Sequence, residues 1–174
     1  MISIPESGVE FGEFAETSVY RLEHSPLHKY VGDGIKSVEF ILLRKEDNIL
    51  FVEAKTSCPN ENNKDSSDEK REKYIEFFDD VEDKFTDSFH MFLMSVLGRY
   101  DDRTIGSEIK NKQQYKDSRF IFVLVITAAE LDWLQGPKIE LEKRLIKLRK
   151  IWDIKIVVLN TELGKNNPWN FIKV

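Results

Sequence analysis

The sequence predicts an α/β protein, a mixed β-sheet flanked by helices. Three observations carry that expectation. Two short runs rich in β-branched and aromatic residues, 35–43 and 49–54, stand either side of a polar turn. A long stretch places apolar residues at steps of three and four, from Tyr74 to Leu97. A continuous apolar run, 120–126, is followed by a second helical pattern and a last strand pattern. Strands that pair first and then alternate with helices build a mixed sheet with helices on its faces.

Taken in order, Val19, Tyr20 and Leu22 suggest a first strand over 18–23. Lys45-Glu46-Asp47-Asn48 separates the next two runs, which reads as a hairpin. The stretch 57–67 is rich in Pro, Asn and Ser and reads as a loop. Tyr74, Phe77, Phe78, Val81, Phe85, Phe89, Phe92, Leu93, Val96 and Leu97 then make one apolar helical stripe, with Asp68 as N-cap and Gly98 as stop. Residues 99–117 are polar and irregular. Residues 120–126 suit a central strand covered on both faces. Gly136-Pro137 opens another helix, with Pro in its first position and a stripe of Leu141, Leu145, Leu148 and Trp152. Residues 154–159 form the last strand.

The 174 residues are enough for one domain with a real core and too few for two. Hydrophobic residues make up 41% and charged residues 33%, a globular composition. No apolar run reaches the roughly 20 residues that span a bilayer. The first residues show no basic region followed by an apolar stretch, so no secretory signal is expected, and a cytoplasmic setting fits the lone Cys58. One cysteine excludes an internal disulfide and a cysteine-rich zinc site; His24, His28 and His90 lack zinc spacing. The net charge of −5 argues against a strong nonspecific nucleic-acid binder. It leaves room for an acidic metal site with local basic faces.

Glu53 and Lys55 close an apolar strand and, two apart, share a face with Ile49 and Phe51. Acid and amine are costly there unless paired, hydrated or metal-bound. Glu39 is a second anomaly, set among Val38, Phe40, Ile41 and Leu42. Two carboxylates suffice to hold Mg²⁺ with waters, and a lysine beside them can stabilise developing charge. A geometric condition follows. A two-residue Glu46-Asp47 loop pairs Glu39 with Ala54 and sends it to the wrong face. A loop of odd length, or a bulge, sets Glu39 opposite Glu53 or Lys55.

The segment Gly34-Ile35-Lys36-Ser37-Val38-Glu39-Phe40-Ile41-Leu42 through Phe51-Val52-Glu53-Ala54-Lys55 resembles the active-site hairpin of the PD-(D/E)XK nuclease superfamily, the restriction-endonuclease-like fold. That resemblance implies residues 1–174 as a single nuclease-like domain: a strand meander, a long helix, a strand, a helix and a strand. It implies Glu39 and Glu53 as ligands of Mg²⁺ or Mn²⁺, the Ala54 carbonyl as a further ligand, and Lys55 as the catalytic lysine. Glu39 fills the place of the usual Asp, and no Pro precedes it. The implied activity is phosphodiester hydrolysis, with DNA as partner. The alternative is a catalytically inactive module of the same fold, binding within a larger assembly. A homodimer also fits, since cutting two strands takes two sites.

Further candidates each have a bland counterpart. Glu23 is an added acid or a surface ion-pair partner. Asp33, between Gly32 and Gly34, is a metal ligand or ordinary turn chemistry. Lys84, one turn from Ser88, reaches the site or merely flanks the apolar stripe. Lys143, Lys147 and Lys150 contact a phosphate backbone or form a solvated helix face.

Overall fold

The protein, described here by a computed structural model, is defined at residues 1–60, 67–113, 115–169 and 171–173. Residues 61–66 of the expected 57–67 loop lie outside the described residues. The chain opens with a hairpin of β1 (Ile2–Glu6) and β2 (Val9–Phe14). Its turn is Ser7-Gly8, both at positive φ (47° and 80°), the conformation that matches the twist of paired strands. Ile4, Phe11 and Phe14 are buried along it.

The main sheet has five strands in chain order: β3 (Val19–Tyr20), β4 (Phe40–Arg44), β5 (Asn48–Lys55), β6 (Arg119–Ile126) and β7 (Lys155–Leu159). The first three pair antiparallel, and β6 and β7 join parallel. The expected meander is therefore present, and β5 and β6 lie in the interior of the sheet. The helices are α1 (Pro26–Val31), α2 (Asp68–Val96), α3 (Ser107–Lys110), α4 (Gln135–Arg144), α5 (Ile146–Trp152) and α6 (Thr161–Lys165). The segment carrying α2 and α3 crosses over from β5 to the parallel β6, and α4 with α5 crosses from β6 to β7.

Alternation along each strand gives the sheet two different faces. Ile41, Ile49, Phe51, Phe122 and Leu124 pack with Phe78, Phe85, Phe89 and Phe92 of α2. Phe51 meets Phe92 and Phe122 edge to face, at centroid distances of 5.4 and 5.2 Å. Each such buried ring contributes about 1.5–3 kcal/mol. Phe40, Leu42, Leu50, Val52 and Val123 instead pack with Phe11 and Phe14 of the hairpin and with Phe171. The segment at 171–173 runs beside β2: Gly12 N–H donates to the Phe171 carbonyl and Lys173 N–H to that of Glu10. Among the described residues no helix is long and apolar enough to cross a membrane.

Several sequence expectations need correction. The first strand holds only Val19–Tyr20, because the chain turns into a 3₁₀ segment at Leu22–His24. The second begins at Phe40, so Glu39 lies just before it. Ser67 takes the N-cap position of α2, and Asp68 is the first helical residue. The second helical pattern starts at Gln135, which makes Pro137 its third residue, and it divides at Leu145 into α4 and α5. Its stripe is still partly honoured: Leu141 and Leu145 are buried, while Trp152 is 43% exposed.

Candidate active site

The register of the β4–β5 hairpin decides which side chains meet. Arg44 pairs with Asn48 across the three-residue loop Lys45–Asp47. Asp47 takes a left-handed φ of 57°, which lets an odd-length loop close the pair. Phe40 pairs with Val52. One step further, Glu39 stands level with Glu53, on the face that α2 covers.

The long helix completes the arrangement. Asp80, Lys84 and Asp87 form a stripe at steps of four and three beside its buried face. Lys84 Nζ donates to Glu53 Oε1 at 2.8 Å and lies 3.7 Å from Glu39 Oε1. Lys55 Nζ lies 3.2 Å from the same Glu53 oxygen and donates to Asp80 Oδ2 at 2.9 Å. Lys36 Nζ reaches Asp80 Oδ1 at 3.2 Å and donates to Asp83 at 3.0 Å. The same helix fixes the chain just before Glu39. The Lys36 N–H donates to Asp87 Oδ2 at 3.0 Å, and the Val38 N–H donates to Ser88 Oγ at 2.8 Å.

Glu53 is the centre of this cluster. Its residue exposure is 0%, and its Oε2 is buried with no hydrogen-bond partner among the described residues. Burial pushes its carboxyl up from the ordinary value, against the pull of the Lys84 and Lys55 ammonium groups. Glu39 is carried up to about 7, first by burial and then by the Glu53 charge, with smaller pushes from Glu6 and Glu23. Burial would lower the Lys55 amine, but Glu53 and Asp80 outweigh it and hold it above its ordinary value. Burial likewise pushes Asp80 up, and hydrogen bonds from Lys55 and Lys36 more than reverse that. Lys55 is thus held as an ammonium ion, suited to donating hydrogen bonds to anionic oxygen and unsuited to taking a proton.

The donor set has limits. Among the described residues no group of three or more His, Cys, Asp and Glu side chains gathers as a metal nest. Glu39 and Glu53 supply two carboxylates, which suits a small hard cation that keeps several waters. The orphaned Glu53 Oε2 is a ready ligand, whereas the Lys84 ammonium stands between the two acids. The Ala54 carbonyl already accepts a hydrogen bond from Ser7 Oγ at 3.0 Å, from the tip of the β1–β2 turn. One of its two lone pairs remains.

The other candidates divide. Glu23 is exposed on its 3₁₀ turn, near enough for its charge to act on Glu39. Asp33 is exposed in its turn and, among the described residues, makes no hydrogen bond or ion pair with the cluster. Lys143, Lys147 and Lys150 are exposed on α4 and α5 and form no ion pair with the cluster among the described residues. Asp80, Lys36 and Ser7 were not foreseen. Asp80 had a readable signal, since it sits one helical turn before Lys84 on the same stripe.

No protein-family model, curated protein or solved structure matches this chain. What fold and site define together is an α/β protein with a five-stranded mixed sheet, a small added hairpin, and a half-buried acid–lysine cluster around the buried Glu53 where β5 ends.

Proposed function

We propose that the chain is a metal-dependent phosphodiesterase of the PD-(D/E)XK nuclease type, acting on DNA, and that its sheet with α2 is a restriction-endonuclease-like core. The observation that carries the reading is Glu53, a fully buried carboxylate with one oxygen unpartnered, level with Glu39 and beside Lys55. Structure alone does not require such an acid, because a buried charge left half satisfied costs several kcal/mol.

In this reading Glu39 and Glu53 would hold Mg²⁺ or Mn²⁺, with the free lone pair of the Ala54 carbonyl as a third donor. When bound, the ion polarises the phosphoryl oxygen and acidifies a water. Lys55, kept protonated and aimed by Asp80, donates to the charge that grows on the phosphate oxygens. Lys84 occupies the space between the two acids; displaced from it, its ammonium would face the same phosphate as a second cation.

A second reading draws on that same lysine. The Lys84 ammonium already neutralises Glu53 and approaches Glu39, as an internal cation would. A chain that keeps it there permanently is an inactive nuclease-fold module, serving as a binding subunit.

Nicking of supercoiled plasmid separates the two. The enzyme reading expects nicking with Mg²⁺ or Mn²⁺, none with chelator, and a loss of at least 100-fold in Lys55→Ala. No nicking of any nucleic acid with either ion, together with no Mn²⁺ binding by calorimetry, leaves the binding module.

A further inference from the structure

Beyond Lys55 the two central strands continue to approach each other. Thr127 N–H donates to the Lys55 carbonyl at 2.9 Å and Ala128 N–H to that of Thr56 at 3.0 Å. Just past this extension lies a cavity of about 300 Å³. Ser57 and Cys58 wall it from the β5 side, Ile126 from β6, Pro137 from α4, and Asp132 and Trp133 from the 3₁₀ turn Leu131–Trp133. Ser57 is two residues beyond Lys55, about 7 Å along an extended chain. The cavity is therefore built on the same two strands that carry Glu53 and Lys55, just beyond their ends.

The chemistry of the walls selects an occupant. Trp133 lines the cavity and is 55% exposed, so its ring is open to a flat ligand. Burial pushes the Cys58 thiol up to about 12, so it is a neutral wall and neither nucleophile nor metal ligand. The Asp132 carboxylate repels a phosphate and accepts hydrogen bonds from N–H groups. A flat, uncharged group with N–H donors on its edge meets all three conditions. With a phosphate at Lys55, the group that lies within this reach is a nucleobase.

We propose that this cavity is a nucleobase subsite, in which Trp133 stacks on an unpaired or flipped base beside the scissile phosphate and Asp132 reads its N–H edge. The proposal rests on the nuclease reading above. It names the substrate as single-stranded or locally opened DNA, since a base reaches such a pocket only outside the duplex stack. Guanine is the best fit, because its N1–H and N2–H present two adjacent donors to one carboxylate.

The test is equilibrium binding of short oligo-deoxyguanosine and oligo-thymidine to the full chain, in chelator so that nothing is cut. Plasmid nicking in Mg²⁺ is followed in parallel. The expected result is tighter binding of the guanine oligomer, a loss of about 10-fold in Trp133→Ala, and recovery in Trp133→Phe. Asp132→Asn is expected to level the preference for guanine over thymine. Unchanged circular dichroism shows that these variants fold. If wild-type nicks plasmid but Trp133→Ala and Asp132→Asn bind both oligomers as it does, the subsite is wrong and the nuclease reading stands. If wild-type never nicks, yet oligomer binding still depends on Trp133, the nuclease reading falls and the base site survives it.

Discussion

Two buried acids in this protein live in opposite conditions. Asp102 is 1% exposed and has both oxygens filled. Its Oδ2 accepts from the Tyr20 hydroxyl at 2.8 Å and the Leu27 N–H at 3.1 Å. Its Oδ1 accepts from the Thr104 N–H at 2.8 Å and the Thr104 hydroxyl at 2.6 Å. Burial alone would push its carboxyl up, but those donors hold it below the ordinary value. Glu53 takes both its ammonium partners on one oxygen and leaves the other empty, and its carboxyl is held above the ordinary value. Filled lone pairs make Asp102 a pin that ties β3, α1 and the segment after α2 together. Unfilled ones leave Glu53 with capacity for something the fold itself does not supply.

The largest expected effect falls on the pin. Asp102→Ala strands two buried donors, the Tyr20 hydroxyl and the Leu27 N–H, and frees two more on the exposed Thr104; it costs on the order of 4 kcal/mol in urea unfolding, with or without divalent ions. A cost under about 1 kcal/mol means the pin is idle. Lys84→Met comes next. It leaves the buried Glu53 carboxylate with Lys55 alone and costs about 2–3 kcal/mol in chelator. Mn²⁺ is expected to restore more stability to this variant than it adds to wild-type, because the ion enters a space the ammonium has vacated. Equal responses to Mn²⁺ in the two proteins would remove the case for a metal between Glu39 and Glu53.

Acid titration sharpens the contrast, because the two regions have opposite slopes. Asp102 sits below its ordinary 3.8, so its contribution is present above that pH and is lost as the pH falls further. Glu39 is raised from 4.5 to about 7, so the folded chain binds a proton that the unfolded chain has released. Stability from this site is therefore full below pH 4.5 and falls as the pH rises to 7, by on the order of 3 kcal/mol. Glu39→Gln removes that slope. It is expected to match wild-type at pH 5 and to exceed it by about 1–3 kcal/mol at pH 8, measured by urea unfolding at both. A variant gain that does not grow with pH would show that Glu39 ionises without strain.

Much of this was legible in the residues. Glu39, Glu53 and Lys55 stood out as charges in apolar runs, and period-two alternation put the last two on one face. The odd loop was a requirement derived from register, and Asp47 in a left-handed conformation is how the chain meets it. The N-terminal hairpin lies outside that expectation, although Ile2, Ile4, Val9 and Phe11 alternate around Ser7-Gly8 in a hairpin pattern. The place of Asp80 was half legible: helical spacing ties it to Lys84, but no sequence rule says how that helix lies across the sheet. Asp102 was invisible, since its partners come from positions 20, 27 and 104 and only folding gathers them.

The smallest effect lies where the hairpin touches the cluster. Ser7→Ala removes the hydroxyl that donates to the Ala54 carbonyl and costs about 1 kcal/mol, near the net worth of one hydrogen bond. The Thr127 hydroxyl still holds the Ser7 carbonyl at 3.0 Å, so the turn stays docked. With the Ala54 oxygen wholly free, Mn²⁺ affinity by calorimetry is expected to equal or exceed that of wild-type. A fall in affinity would reverse the roles: the Ser7 hydroxyl would then be orienting that carbonyl toward the ion, and the added hairpin would belong to the site as much as β5 does.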